Sequence, residues 1–323
     1  MRKEKRWARR QRPLNKLLRR LRHAAEGLAH LLAMGLFWLL PVDWASGFAG
    51  WGARTLARSL GVNRRAMQHL AIAFPEMSEA QHREILIGMW DNLGRTVAEY
   101  PHLGTIAAAN SGRVEVVGSE RLAAVRRDGG HFILLAAHMA NFELMPVIAH
   151  KQGYDITVVV RRINNPYIER VTQYFRSRPN HGKGLISKSR DGARQVVKLL
   201  DEGFDLGVLF DQRSSQGVPL PLFGRPARTT LGIAKQAIDR GIPMFPVQFE
   251  RLGGARFRIS VEPPIERPNL GSKQADAEAM MAAANKVLER WIRERPADWL
   301  WLHRRWDRPT REPRPQPQSE VSA

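Results

Sequence analysis

The chain has 323 residues, with 51 Lys+Arg against 31 Asp+Glu and no Cys. That length supports one domain with a sizeable core or two small ones, and 43% apolar with 25% charged residues excludes a disordered chain. Without Cys there is no disulfide, thiol nucleophile or Cys-ligated metal site, and the net charge of +20 asks for an anionic partner: nucleic acid, an anionic membrane face, or a phosphorylated substrate or carrier.

Residues 1–23, MRKEKRWARRQRPLNKLLRRLRH, hold 11 Lys/Arg and one acid. They form a basic arm that carries half of the excess charge, and the body behind it is mildly basic. Residues 24–60 read as a helical, membrane-associating segment. AAEGLAHLLAMGLFWLLP (24–41) is apolar from Leu28 to Leu40 except for His30. Pro41 breaks it, and a stretch of small and aromatic residues follows from Trp44 to Ala57. The run is short for a membrane span of ~20 residues. Basic side chains ahead of an apolar run favour the anionic cytoplasmic leaflet by roughly 1 kcal/mol each. Two other readings stay open. One is a buried core helix. The other is a signal peptide, which the long, very basic leader and the lack of an A-x-A site count against.

Residues 63–110 read as helical, with apolar positions at helical spacing in MQHLAIAF (67–74) and EAQHREILIGMWDNLGRTVAEY (79–100). From residue 113 strands and helices alternate. The strand-like runs are 114–118, 132–138, 156–162, 184–187, 205–212, 243–249 and 257–264. Helical stretches lie at 141–152, 166–178, 190–203, 230–240 and 274–295. This alternation predicts an α/β fold with a mostly parallel sheet flanked by helices, in a catalytic domain over 61–306. The Pro-rich polar tail 307–323 reads as disordered.

In α/β folds the sites lie at the carboxyl ends of strands. Reading those ends in order gives His138, Arg161–Arg162 and Asp211–Gln212. These positions can converge on one edge of the sheet. His138 and Glu143 stand in an H-x-x-x-x-E spacing across a strand-to-helix turn. Histidine suits general-base work near neutral pH, and a carboxylate on its far nitrogen fixes the tautomer. The plain alternative is a structural histidine satisfied by its neighbours. No G-x-S-x-G elbow or H-E-x-x-H helix competes with the pair.

HMANFE (138–143) resembles the H-x-G-N-W-E form of the motif of the late lipid A biosynthesis acyltransferases, the lauroyl/myristoyl type. Ala140 stands for Gly and Phe142 for Trp. The likeness continues in register. VVVRRINNP (158–166) resembles V-Y-R-P-x-x-N-P, with Arg161 and Asn165–Pro166 at the matching positions. DQRSSQGVPLPLFGRPARTT (211–230) resembles the D-Q … F-F-G-x-x-A-x-T block, and WLWLHRRW (299–306) the C-terminal W-x-H-R-R block. FPEMS (74–78) and the helix from Asn92 to Glu99 also fit.

The resemblance implies a glycerolipid-acyltransferase-like fold and an O-acyltransferase. Its reaction moves a fatty acyl chain from acyl carrier protein onto the 3-hydroxyl of a hydroxyacyl chain of a lipid A precursor. In that scheme His138 takes the hydroxyl proton, and Glu143 orients and charges His138. Arg161 binds a phosphate or the oxyanion, and Asn165, Asp211 and Gln212 join it in substrate binding. Thr229 is expected only to cap the helix after it. His303, Arg304, Arg305 and their tryptophans either pack the chain end or meet headgroups. The scheme needs no metal, no cofactor beyond the acyl-carrier co-substrate and no covalent intermediate.

The implied partners are acyl carrier protein, the lipid A precursor and membrane lipids, at the cytoplasmic side of the inner membrane. A single span with the basic arm inside would put the catalytic domain on the wrong side. A re-entrant hairpin at Pro41, or a helix lying in the interface, avoids this. A glycerophospholipid acyltransferase would place F-P-E-G after the histidine, whereas FPE precedes it here. A relative acylating another glycolipid or a lipoamino acid is the open alternative. A nucleic-acid binder is disfavoured, since no helix-turn-helix, zinc-finger or RNP pattern is present.

Overall fold

The structure is a computed structural model that describes residues 2–57, 60–160, 163–177, 185–187 and 189–307, with the side chains of 2–15, Ser187 and Arg190 left out. Four helices open the chain: α1 (Arg2–Leu39), α2 (Val42–Leu56), α3 (Asn63–Ala73) and α4 (Glu79–Glu99). The boundary expected at residue 23 falls inside α1. Pro41 separates α1 from α2 in an extended conformation, with no side chain capping α2. Ser78 and Gln81 form a reciprocal capping box at the start of α4. A single 3-10 turn (Tyr100–His102) and the short α5 (Leu103–Ile106) lead into the α/β body.

That body runs β1 (Val114–Val117), α6 (Glu120–Arg127), β2 (Ile133–Ala136), α7 (Leu144–Lys151), β3 (Ile156–Val160), α8 (Pro166–Ser177), β4 (Leu185–Ser187), α9 (Arg190–Asp201) and β5 (Asp205–Leu209). It continues with β6 (Val218–Leu222), β7 (Arg225–Thr229), α10 (Gly232–Arg240), β8 (Met244–Gly253), β9 (Arg256–Val261) and α11 (Lys273–Glu294). Seven strands form one sheet in the order β1-β9-β8-β2-β5-β3-β4, parallel at every junction except β8–β9. This is the mostly parallel, helix-flanked sheet that the alternation predicts. β2 lies in the interior between β8 and β5, and all four of its residues are buried. A continuous apolar run is what such a strand requires.

Three elements differ from the expectation. Helix α6 was not anticipated between the first two strands. β8 runs on to Gly253 and turns back into β9 as an antiparallel pair. Residues 218–229 form a separate two-stranded hairpin, whose tight turn places both Phe223 (φ 52°) and Gly224 (φ 66°) in the left-handed region. Prolines 219, 221 and 226 argue against a central strand, and a peripheral hairpin tolerates them.

Two apolar clusters cover the sheet. One joins α3, α4, α10 and α11 with Trp299, Trp301 and Trp306, and the other joins α5 and α7 with β1, β3, β8 and β9. α2 crosses α4 so closely that a Cβ at Gly94 would lie 2.3 Å from the Ala49 carbonyl oxygen. α1 packs on α8, where a Cβ at Gly27 would meet the Tyr167 Cβ at 2.3 Å.

The outer sides of α1 and α2 are apolar and uncovered. Leu28, Leu31, Leu32 and Leu36 lie at helical spacing on α1, and Trp44, Phe48 and Trp51 do so on α2. Among the described residues no helix is long and apolar enough to cross a membrane.

Candidate active site

β2 and β5 are parallel neighbours in register, with Leu135 beside Val208 and Ala136 beside Leu209. His138 and Asp211 each stand two residues beyond that last pair. Strand register therefore brings them together. His138 Nδ1 lies 2.8 Å from Asp211 Oδ1. The His138 amide donates to Asp211 Oδ2 at 3.0 Å, and Trp299 Nε1 donates to the same oxygen at 2.8 Å.

Asp211 is 2% exposed. Burial alone would push its carboxyl up. The His138 imidazole beside it, its hydrogen bonds and that of Trp299 outweigh burial and hold the carboxyl well below the usual carboxylate range. A carboxylate only accepts, so the neutral ring of His138 carries its hydrogen on Nδ1 and its lone pair on Nε2.

That nitrogen faces a small polar group of side chains. Gln212 Nε2 donates to His138 Nε2 at 3.1 Å and lies 3.4 Å from His303 Nε2. The His138 ring is flanked by Phe142 at 4.8 Å and His303 at 4.9 Å between centroids. A small hollow beside it is walled by Met89, Leu93, Phe142 and Leu300.

The turn from Ala137 to Glu143 is held from several sides. Ala140 takes φ 46°, in the left-handed region that favours glycine. Asn92 Nδ2 and Thr96 Oγ1, both on α4, donate to the Ala140 carbonyl at 3.3 and 3.0 Å. Asn141 Nδ2 donates to Glu99 Oε2 at 2.8 Å, and Glu99 is itself buried against Arg251 and Ser46. The chain end completes the frame, with the Leu300 amide donating to the His138 carbonyl and the Ala140 amide to that of Asp298.

Glu143 does not orient His138. Its carboxylate is taken by Arg176 of α8, at 2.7 Å through Nε and 2.5 Å through Nη2, while Tyr100 Oη donates to it at 2.8 Å. The position five residues after His138 is the N-cap of α7, and the left-handed Ala140 turns it toward α8. The place expected for Glu143 belongs to Asp211. Burial pushes the Tyr100 hydroxyl up, and the Glu143 charge adds to that. Burial works to lower Arg176, but the paired carboxylate outweighs it and raises the guanidinium.

Of the other expected positions, Gln212 lies at His138. Asn165 does not. Its Oδ1 accepts the amides of Tyr167 and Ile168 at the start of α8, and its Nδ2 donates to the His23 carbonyl and to Glu26 of α1. Asn165 thus caps one helix and ties it to another. Arg161 lies outside the described residues.

Thr229 caps no helix. It accepts from Asn285 and from Arg305 Nη2, and Arg305 is fully buried. Burial lowers the Arg305 guanidinium to about 10.

The expectation missed Tyr100 and Arg176, and it gave His303 and Trp299 only as packing or headgroup residues, not as neighbours of His138 and Asp211. WLWLHRRW was visible as a motif, but sequence does not say that Trp299 reaches Asp211. Among the described residues no group of three or more His, Asp or Glu is arranged to hold a metal ion.

Residues 14–308 match the family model described as bacterial lipid A biosynthesis acyltransferase. The chain is 29% identical over 289 residues to the lipid A biosynthesis lauroyltransferase of Escherichia coli (strain K12), covering 85% of this chain and 90% of the relative. It is 23% identical over 252 residues to the lipid A biosynthesis myristoyltransferase of the same organism, covering 74% and 73%. With the lipid A biosynthesis acyltransferase of Haemophilus influenzae it shares 25% identity over 297 residues, covering 84% and 90%.

Proposed function

The chain belongs to the bacterial lipid A biosynthesis acyltransferase family, and from that premise we propose that it moves a fatty acyl chain from acyl carrier protein onto the hydroxyl of a hydroxyacyl chain of a lipid A precursor. One observation carries the mechanism: a histidine whose Nδ1 is held by a buried carboxylate and whose Nε2 faces, among the described residues, only the exchangeable amide of Gln212.

The acceptor hydroxyl displaces the Gln212 amide at Nε2. His138 Nε2 takes the hydroxyl proton as the oxygen attacks the thioester carbonyl carbon. Asp211 keeps the Nδ1 hydrogen bond and offsets the imidazolium charge as it forms. The C–S bond then breaks, and the departing sulfur takes the proton from Nε2. Arg161 is the proposed anion contact, for an acceptor phosphate or the oxyanion. Arg176 and Tyr100 hold Glu143, and with it the far end of the turn that carries His138.

The setting we propose is the cytoplasmic side of the inner membrane, where acyl carrier protein supplies the donor. The uncovered apolar sides of α1 and α2 support docking along the membrane plane, with the basic residues of α1 meeting anionic headgroups.

The test is reconstitution of the full chain in detergent micelles with acyl-loaded carrier protein and a hydroxyacylated precursor, read by mass spectrometry. The product should gain one acyl chain in ester linkage. His138→Ala should lower turnover by at least about 10²–10⁴-fold. Near-wild-type turnover by folded His138→Ala would overturn the reading.

A further inference from the structure

Behind His303 the chain end carries guanidinium groups that the acyl-transfer scheme does not use. Arg304 is exposed and follows His303, whose ring stands 4.9 Å from that of His138. Arg65 of α3, also exposed, reaches across to the same segment, with Nη1 donating to the Leu302 carbonyl at 3.3 Å. Arg64 is exposed beside it. Both Arg65 and Arg304 act on one neighbour, His69, which sits against the Trp301 carbonyl and the Trp306 ring. Burial is the larger reason that His69 is held below the usual imidazole value, and the two guanidinium charges add to it.

Among the described residues none of Arg64, Arg65 and Arg304 has a carboxylate at ion-pair distance. Many other arginines of the body are paired. Arg95 pairs with Asp91, Arg113 with Asp43, Arg251 with Glu99 and Arg295 with Glu250. The acid that follows on the same segment, Asp307, is already shared by Arg213 and Arg228. Cations gathered without a counter-ion repel one another, and an arriving anion relieves that repulsion. A planar guanidinium fork matches the oxygens of a phosphate.

The surroundings say what bears the phosphate. The chain passes from the uncovered side of α2 through Leu56 (78% exposed) and Leu60 (45% exposed) to Arg64. The cluster sits on the segment of His303, whose ring stands 4.9 Å from that of His138, and on the chain that follows those exposed leucines. An amphipathic ligand with its chains on that surface has its headgroup at these arginines.

We propose that Arg65 and Arg304, with Arg64 beside them, form a clamp for a phosphate on the headgroup of the acceptor glycolipid, next to the segment that carries His303 to His138. The clamp rests on the acyltransferase reading and deepens it. It fixes which part of the acceptor is held while the hydroxyl reaches His138.

The experiment compares wild type with Arg65→Gln/Arg304→Gln on two acceptors, the phosphorylated precursor and its dephosphorylated form. Acyl-carrier concentration is varied in a separate series. The clamp predicts that the double variant raises KM for the phosphorylated acceptor about tenfold or more beyond any change for the dephosphorylated one. It predicts little change in kcat at saturation. Equal losses on both acceptors would overturn the clamp. A rise confined to KM for the acyl carrier would also overturn it, and would give the surface to the acidic face of that protein.

A second measurement needs no turnover. Wild type should float better with phosphatidylcholine vesicles containing the phosphorylated acceptor than with those containing its dephosphorylated form, and the variant should lose that preference. An equal loss on phosphatidylglycerol vesicles would make the cluster a general contact for anionic surfaces and overturn the clamp. A wild type that shows the vesicle preference but transfers no acyl chain would sink the function and leave the clamp standing. Turnover with no preference for phosphate would sink the clamp alone.

Discussion

Asp211 divides its carboxylate between the ring and the backbone of His138, with Oδ1 2.8 Å from Nδ1 and Oδ2 3.0 Å from the amide nitrogen. The second bond fixes where the strand end lies, and the first fixes which way the imidazole faces. Trp299 Nε1 also donates to Oδ2, at 2.8 Å. The dyad is thus rigid before substrate arrives, which is what a positioned base requires.

The Glu143–Arg176 pair is a buried ion pair, with side chains 7% and 10% exposed. Removing one partner strands the other charge. Arg176→Met should cost about 3–5 kcal/mol of stability, and Glu143→Gln/Arg176→Met should recover much of that loss. Thermal denaturation of the single and double variants checks it. Additive losses would mean that the two groups act independently.

The depressed carboxyl of Asp211 carries a pH signature. The folded chain holds this proton less tightly than the unfolded chain, so the hydrogen-bonded carboxylate adds stability above the ordinary carboxylate value of about 4. That contribution fades as pH falls toward the depressed folded value. The stability gap between wild type and Asp211→Asn should therefore be wide at pH 7 and should narrow below about pH 4. A gap that stays constant across this range, measured by denaturant titration, would speak against a charged Asp211.

The outer side of α2 predicts membrane behaviour without a change in fold. Trp44 and Phe48 are 64% and 59% exposed. Trp44→Ser/Phe48→Ser should leave Tm close to wild type, because little packing is lost. Each lost aromatic removes roughly 1.5–3 kcal/mol of apolar partitioning where the ring is fully buried in lipid. Flotation should fall at both low and high salt. If only low-salt flotation fell, charge alone would hold the chain to the bilayer.

The alternation of strands and helices was legible because buried parallel strands are continuous apolar runs, as in ILLA of β2. Strand ends pointed to His138, Asp211 and Gln212 separately. Their pairing was not legible, because it depends on β2 and β5 being adjacent and in register. The H-x-x-x-x-E spacing suggested Glu143 as the partner, and the left-handed backbone at Ala140 is what sends it to Arg176 instead. The glycine that the resembled motif carries at this position was the one hint of a positive φ at Ala140. Asn165 had the look of a site residue in its motif, yet an asparagine before a helix also has a plain use as a cap. The hairpin at 218–229 was hidden by its prolines.

The most direct test of the account compares kcat for Asp211→Asn and Glu143→Gln in the micellar acyl-transfer assay, beside wild type and His138→Ala. Asp211 holds the Nδ1 hydrogen and offsets the imidazolium charge, so its amide should lower kcat by about 10³–10⁴-fold, close to the loss in His138→Ala. Glu143→Gln keeps the base and its carboxylate and should lose far less in the fraction that stays folded. The reverse order, with Asp211→Asn active and Glu143→Gln inactive but folded, would contradict the His138–Asp211 dyad as the catalytic pair.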